Sequence, residues 1–384
     1  MRVLYLTIDN VNDNVILAQT LPFLGRLATF PEVEAVHLYA LRKEGGERFR
    51  DYLPARVHVH LRENHGLWSP RTWGSLARLA WAAWRTTTPG ALCIGRNPVC
   101  LACLLPAARR ASGRLVLDYR GLLSEEYALQ GKVARGGTAH RLLRRLEGWA
   151  LRRADRVLCV SYRLATRARR WQPQAAGKLA VVPCACDPGV ARRDEGAVEA
   201  VRRDLSLEAN RDFVLVYAGS LSAWNRPALI RDLFRAAAAA RPSVKLLVLT
   251  GDLARAEEVF AGEPGVLLRT VPHAAIRAYL AVGDLGLLLR DSHPVNRVAS
   301  PVKFAEYLAC GIPVLVSPGV GDCAGIVERE RVGFVLRPDS PLGAILARVA
   351  ADRAGYASRG RETARRLFDA DRYQDIYREL VKIR

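Results

Sequence analysis

Lys303 and Glu306 stand three residues apart in a run, Val302 to Leu308, whose pattern predicts a helix, so they share one face of it. A lysine in the first turn can reach a diphosphate, and a carboxylate one turn on can accept two hydrogen bonds from ribose hydroxyls. Taken alone, the two are equally an exposed intrahelical ion pair worth about 0.5 kcal/mol. A second candidate is FVLVYAGSLSAWNRPALI, a buried strand ending at Gly219, a small-residue turn, and a helix start holding Trp224, Asn225 and Arg226. Free backbone N–H groups with a guanidinium beside them cradle phosphate, although every strand-to-helix turn shares that outline. A third group, Asp118, Arg120, Glu125 and Glu126, follows the apolar run Leu115 to Tyr119. There an acid near an acceptor hydroxyl serves as base and an arginine neutralises a leaving diphosphate; the plainer alternative is a solvated loop with local ion pairs.

Other residue types point away from chemistry. Cys100 and Cys103 form a CxxC and Cys184 and Cys186 a CxC, but a structural zinc site needs a second pair at matching spacing with nearby histidines. His37, His58, His60 and His65 have no carboxylate at ligand spacing, and His58 and His60 alternate along a strand. No metal is expected. The first strand runs into TIDNVNDN rather than GxGxxG, which disfavours a dinucleotide dehydrogenase.

The elements that must position these residues alternate along the chain, short β-branched runs with longer helical patterns, the signature of parallel sheets covered on both faces. Strands are expected at Val3 to Thr7, Val33 to Leu41, Val57 to Leu61, Ala91 to Ile94, Leu115 to Tyr119, Arg156 to Val160 and Leu179 to Val182. Helices fill the gaps, among them Gln19 to Ala28 and His140 to Ala154. The turn formers and charges of PCACDPGVARRDEGA then place a hinge near Asp187. A second series follows, at Phe213 to Ala218, Val244 to Thr250, Val266 to Leu268, Leu285 to Leu289, Val314 to Val316 and Phe334 to Leu336. The fold class is α/β: two Rossmann-like doubly wound domains, 1–187 and 188–365, facing a central cleft. Residues 366–384 form a C-terminal helix able to return to the N-terminal domain, with Tyr373 and Tyr377 on one face. Ligands of such sheets bind outside the carboxyl ends of the strands.

Composition agrees. The chain has 384 residues, half of them hydrophobic and a quarter charged, with mean hydropathy 0.00, the balance of a globular enzyme. Its longest uncharged apolar run, Pro98 to Ala108, is 11 residues, against the roughly 18 needed to span a bilayer. The short run Val3 to Ile8 reads as a buried strand and not as a signal peptide, and eight cysteines without a spacing framework suit reduced thiols in a cytoplasm. The net charge is +20, concentrated in residues 1–190, where 29 basic residues face 14 acidic ones for a net +15. That excess fits an anionic partner, a membrane surface included, or simply arginine-rich solvated helices.

The segment SPVKFAEYLACGIPV resembles the SPxKxxEYLAxGxPV signature of the retaining glycosyltransferases of family 4, which have the GT-B fold. GSLSAWN looks like that family's phosphate-binding turn, VPHAAIRAYLAVGDLGLLL its base-cupping stretch, and GVGD with VGFVLRP its last strand–helix unit. LDYRGLLSEE, ADRVLCVS and VVPCACD resemble the DxRGxxxEE, ADxVxxVS and VxPxGxD stretches of many bacterial members. The resemblance implies donor-binding roles for Gly219, Ser220, Arg226, Ser300, Pro301, Lys303, Glu306, Gly321 and Asp322, with Glu306 on the ribose and Lys303 on the phosphate. It implies catalytic roles for Asp118, Arg120 and Lys303, no bound cofactor or metal, a nucleotide-sugar donor, and a glycan or lipid-linked acceptor in bacterial surface-polysaccharide assembly. Nucleic acid is not an expected partner. Two departures stand out: the family's second acid, eight positions before the ribose glutamate, is here Val298, and its turn lysine is Asn225, leaving Arg226 as the candidate replacement.

Two other functions fit the sequence: a sugar-nucleotide epimerase on the same fold, and a non-catalytic basic adaptor for polyanions. The stretch from Trp68 to Arg85 bears on location. On a helix Trp73, Leu76, Ala77, Ala80, Trp81 and Trp84 fall on one face, with Arg71, Arg78 and Arg85 near the opposite side. Such a helix either buries its tryptophans in the core or, with the arginines of Arg141 to Arg153, docks peripherally on an anionic leaflet at the inner face of the membrane.

Overall fold

The computed structural model describes residues 1–13, 16–43, 48–66, 69–185, 194–208 and 211–382. The expected hinge at Asp187 lies outside them, as do Cys186 and Trp68. The chain forms two units, Met1–Pro183 together with Tyr373–Arg384, and Cys184–Arg372.

In the first unit the strands are β1 (Arg2–Asn10), β2 (Ala35–Arg42), β3 (Val57–Glu63), β4 (Leu92–Gly95), β5 (Arg114–Tyr119), β6 (Arg156–Cys159) and β7 (Leu179–Val181). They form one sheet in the order β3-β2-β1-β4-β5-β6-β7, every described pair parallel. Helices cover both faces of a parallel sheet, so its strands are apolar on both sides, and residues 3–6 of β1 are fully buried. The chain leaves β1 for β2 on one side and returns, after β3, to β4 on the other, which makes the carboxyl ends of β1 and β4 a topological switch point.

The tail closes on this same unit. Its last helix, Gln374–Val381, buries Tyr377, Leu380 and Val381 against the core, with Tyr377 edge-on to Phe23 at 5.3 Å. Arg156 pairs with Glu379 at 2.5 Å, and Arg114 donates to the Glu379 carbonyl at 2.8 Å. The preceding helix, Arg353–Phe368, runs three residues past the expected boundary at 365, and the chain rejoins the first unit at Tyr373.

The second unit contains β8 (Phe213–Ala218), β9 (Val244–Leu249), β10 (Val266–Arg269), β11 (Leu285–Leu288), β12 (Val314–Val316) and β13 (Gly333–Val335), in the order β10-β9-β8-β11-β12-β13. Here the switch point lies between β8 and β11. Gly286 of β11 lies under the Tyr307 ring, which a Cβ would approach to 2.8 Å. The Tyr307 hydroxyl donates to Val216 O at 3.3 Å and accepts from Ala218 N–H at 2.9 Å. Helix Val302–Ala309 is thereby fastened to the end of β8.

The tryptophan helix, Pro70–Thr86, does not bury its tryptophans in the core. Thr72, Ser75, Leu76, Leu79 and Ala83 are buried, whereas Trp73, Trp81 and Trp84 remain 44, 58 and 38% exposed. The helix packs beside helix Pro98–Arg110 and against β2 and β3, and its three large rings stay at the surface. There Arg85 lies over Trp81 at 4.8 Å and Arg110 over Trp84 at 4.0 Å.

The histidines of β2 and β3 stack across the parallel register: His37 faces His58, Tyr39 faces His60, and His37 Nδ1 lies 3.1 Å from His60 Nε2. Burial and the neighbouring rings push His37 down to about 4 and lower His60 as well. Among the described residues no cluster of three or more His, Cys, Asp or Glu could hold a metal, and Cys93, Cys100, Cys103, Cys159, Cys184, Cys310 and Cys323 are free thiols. No helix of the described residues is long and apolar enough to cross a membrane.

Candidate active site

At the switch point of the second sheet lies a pocket of about 180 Å³. Its walls are the end of β8 and the turn after it (Tyr217 to Ser220), Trp224 and Asn225, the end of β11 (Leu287 to Arg290), and Lys303. Gly219 has φ 157°, and a Cβ there would press on the Tyr217 hydroxyl at 3.2 Å, so the chain turns closely around the pocket mouth. Asn225 fixes the turn: its Nδ2 donates to Ser220 O at 2.8 Å and to Ser220 Oγ at 3.0 Å. The residue at the family's lysine position thus ties down the phosphate-type turn and brings no charge to it.

Lys303 and Glu306 meet as their spacing predicts, Nζ to Oε2 at 2.5 Å. The pair is not a solvated surface bridge, because the Glu306 and Lys303 side chains are only 11 and 27% exposed. In the ligand-free protein each neutralises the other one helical turn from the pocket floor.

The remaining donor-side residues divide. The Ser300 hydroxyl accepts from the Cys184 N–H at 3.1 Å, and Pro301 caps the helix that carries Lys303. Gly321, φ 45°, lies so close to Ala299 that a Cβ would stand 1.8 Å from its carbonyl oxygen; its own N–H donates to Asn296 O at 2.9 Å. Only glycine tolerates that approach, and what it holds is the turn entering the Lys303 helix. Asp322 sits at the head of helix Cys323–Glu330. Val298, where the family has an acid, is buried in the apolar core.

Arg226 is not among the pocket residues. It is exposed, in left-handed backbone with φ 50°, at the start of helix Pro227–Ala240. The basic side chain lining the pocket is instead Arg290, which sequence reasoning missed. Its one signal was position, directly after an apolar strand whose neighbour across the switch point is β8.

In the first unit the acids and arginines that follow β5 gather with residues from β1 and β4 at that sheet's own switch point. Asp118, 1% exposed, accepts from the Tyr5 hydroxyl at 2.7 Å and from Arg120 Nε at 2.6 Å, with Arg96 Nη1 at 3.9 Å. Arg96 in turn bridges Asp9 at 2.5 Å and donates to Thr20 at 2.9 Å. Asp118 is thus held on both oxygens and anchors Arg120. Glu125 turns away to Arg135 at 3.3 Å and His140 at 3.7 Å. Glu126 differs from both. Its Oε1 occupies the space beside Gly121, and among the described residues it has no hydrogen-bonding or ion-pairing partner. Burial, reinforced by Asp9 and opposed by Arg96 and Lys132, raises it to about 7. Glu147, also missed by sequence reasoning, receives both the N–H and the hydroxyl of Ser124 at 3.0 Å, and burial raises it to about 7.

Comparisons with known proteins bear on the fold. Residues 34–190 match the model of Glycosyltransferase Family 4. The chain has no match among curated proteins. Among solved structures it resembles Anabaena Alr3699/HepE in complex with UDP, at TM-score 0.72 and 18% identity, all of both chains covered. It also resembles sucrose-phosphate synthase from Thermosynechococcus elongatus, at 0.71 and 18% with 99% of each chain covered. A third likeness is to WaaG, a glycosyltransferase involved in lipopolysaccharide biosynthesis, at 0.71 and 15% over 98% of this chain and 99% of that one. The likeness to these structures shows the fold, two parallel-sheet units of the GT-B type. More particularly, the family 4 match lies within the N-terminal unit and its flanking segment, while the pocket described above belongs to the C-terminal unit.

Proposed function

We propose that the protein moves a sugar, with retention, from a nucleotide-sugar donor to a hydroxyl of a glycan or lipid-linked acceptor in bacterial cell-surface polysaccharide assembly. The observation that carries this reading is the pocket at the β8/β11 switch point, with a glycine turn on one side and Lys303 with Glu306 on the other. Backbone N–H groups and Lys303 suit a diphosphate, and Glu306 suits the two hydroxyls of a ribose. HepE has been solved with UDP and with UDP-glucose, and WaaG acts in lipopolysaccharide biosynthesis, which supports the same donor and acceptor classes for this chain.

Among the described residues no carboxylate lines the pocket. In the reaction we propose, the bond from the anomeric carbon to the phosphate oxygen breaks. The acceptor oxygen bonds to that carbon on the same face, and the departing diphosphate takes the acceptor's proton. Lys303 stabilises the growing negative charge. Metal is not required in this scheme.

Exposed Trp73, Trp81 and Trp84 with their stacked arginines support peripheral docking of the first unit on an anionic cytoplasmic membrane face, where a lipid-linked acceptor would be presented. The test is a panel of UDP, GDP, ADP and dTDP sugars, followed by mass spectrometry of nucleotide release and product, with and without EDTA. One donor turned over in EDTA is the expected result. Isomerised donor without transfer would establish the epimerase, and absence of nucleotide binding would leave the polyanion adaptor.

A further inference from the structure

The donor pocket contains a cation that no described residue neutralises. Arg290 leaves the end of β11 with its backbone N–H on Ser317 Oγ at 3.0 Å, so the start of the side chain is fixed. Its Nη1 reaches only Asn296 Oδ1, at 3.4 Å, and its buried Nε has no hydrogen-bond partner. Among the described residues no carboxylate is within ion-pairing distance of it. Asp291, next along the chain, is held by Asn296 Nδ2 at 2.5 Å and by the His293 N–H at 3.0 Å. Lys303, by contrast, already has Glu306.

A half-buried guanidinium with a buried, unsatisfied Nε and no carboxylate partner is costly in a folded protein, and packing alone gives no reason to keep one. An anion in the pocket gives such a reason. Guanidinium geometry matches phosphate oxygens in pairs, and this guanidinium lies across the switch point from the Gly219 and Ser220 turn.

We propose that Arg290 is the residue that captures the donor's diphosphate, in the role that neither Asn225 nor Arg226 fills. Its binding exchanges partners: the diphosphate takes Arg290 and draws Lys303 from Glu306, and the freed Glu306 carboxylate turns to the ribose. This inference rests on the reading of the pocket as a nucleotide-sugar site. It assigns the ligand's essential feature, a diphosphate, and predicts that a nucleoside without phosphates does not bind.

The experiment uses the full chain and its Arg290→Met, Arg290→Lys and Arg226→Met variants. Calorimetry is run against UDP, GDP, ADP and inorganic pyrophosphate, and the ligand-free proteins are melted alongside. Arg290→Met is expected to weaken both the preferred nucleotide and pyrophosphate by roughly 10- to 100-fold, the size of a charge-assisted hydrogen-bond loss. The ligand-free melting temperature should hold or rise, because a half-buried charge without a carboxylate partner has gone. Arg290→Lys, which restores charge without the planar fork, should recover part of the affinity, and Arg226→Met should lose less than Arg290→Met. If the wild type binds a nucleotide and both Arg290 variants bind it equally well, the inference is wrong while the pocket reading stands. A larger loss in Arg226→Met than in Arg290→Met also overturns it. If the wild type binds none of the four probes, the pocket reading fails and this inference with it.

Discussion

Glu126→Gln should make the protein more stable at alkaline pH while changing little at pH 4.5. The carboxyl beside Gly121 is raised from an ordinary 4.5 to about 7, first by burial and then by Asp9. Arg96 does not rescue it, because that guanidinium is already committed to Asp9, Thr20 and the Tyr5 hydroxyl. A group whose pKa is raised by folding contributes stability that is complete below its unfolded pKa and lost as pH rises through the folded one. For Glu126 the loss runs from about pH 4.5 to 7, and at about 1.4 kcal/mol per unit it amounts to at most about 3.5 kcal/mol, part of it already lost by pH 5. Glutamine keeps the shape and removes the ionisation. Melts of both proteins at pH 5 and pH 8 should show the variant's advantage growing by up to roughly 6 to 12 °C, since about 1 kcal/mol moves a unit of this size by about 2 to 4 °C. Glu147, also raised to about 7, is present in both proteins and cancels to first order. An advantage equal at the two pH values would refute the placement of an unpaired, buried Glu126 carboxyl.

Other outcomes follow from the same geometry. Glu306→Ala should weaken nucleotide binding by roughly 10-fold or more in calorimetry without unfolding the protein, as charge-assisted hydrogen bonds are lost; undiminished affinity would remove Glu306 from the ribose. Lys303→Ala should lower kcat more than it weakens nucleotide affinity, because leaving-group charge grows in the transition state; equal losses would mean uniform binding only. His37, lowered to about 4 by burial, His60 and His58, binds protons more weakly folded than unfolded. Stability should therefore fall as pH drops from about 6.5 towards 4, and His37→Gln should flatten that slope in urea titrations at stepped pH. Sedimentation with liposomes should rise with anionic lipid, fall with salt, and weaken in Trp81→Ala/Trp84→Ala; a protein that stays in the supernatant at low salt contradicts membrane docking.

Thirteen short apolar runs were legible as strands because a parallel sheet buries both faces, and each lies within a few residues of a described strand. Helix faces were less legible. In Pro70–Thr86 the apolar pattern gathers tryptophans on one side, yet the buried stripe runs through Thr72, Ser75, Leu76, Leu79 and Ala83 while Trp73, Trp81 and Trp84 stay exposed. The Lys303–Glu306 juxtaposition was readable from the sequence because helical spacing alone produces it.

Arg226 and Arg290 show where sequence reading stops. Arg226 lies in the turn whose pattern suggested phosphate, but left-handed backbone at that residue leaves it at the surface. Arg290 lies 65 residues beyond Asn225, and only the strand order β9-β8-β11 brings it to the same pocket. The excess charge of the N-terminal half behaves in a similar way. Its net +15 suggests a cationic site, yet at the first switch point Arg96 and Arg120 are matched by Asp9 and Asp118, and the group left unpaired is an acid, Glu126. The two switch points therefore differ in kind. One holds an arginine with no carboxylate partner among the described residues, as a diphosphate site of the kind proposed above requires. The other pairs its arginines with acids around Glu126, whose carboxyl is pushed up by burial, and the surplus arginines of that unit lie elsewhere on its helices.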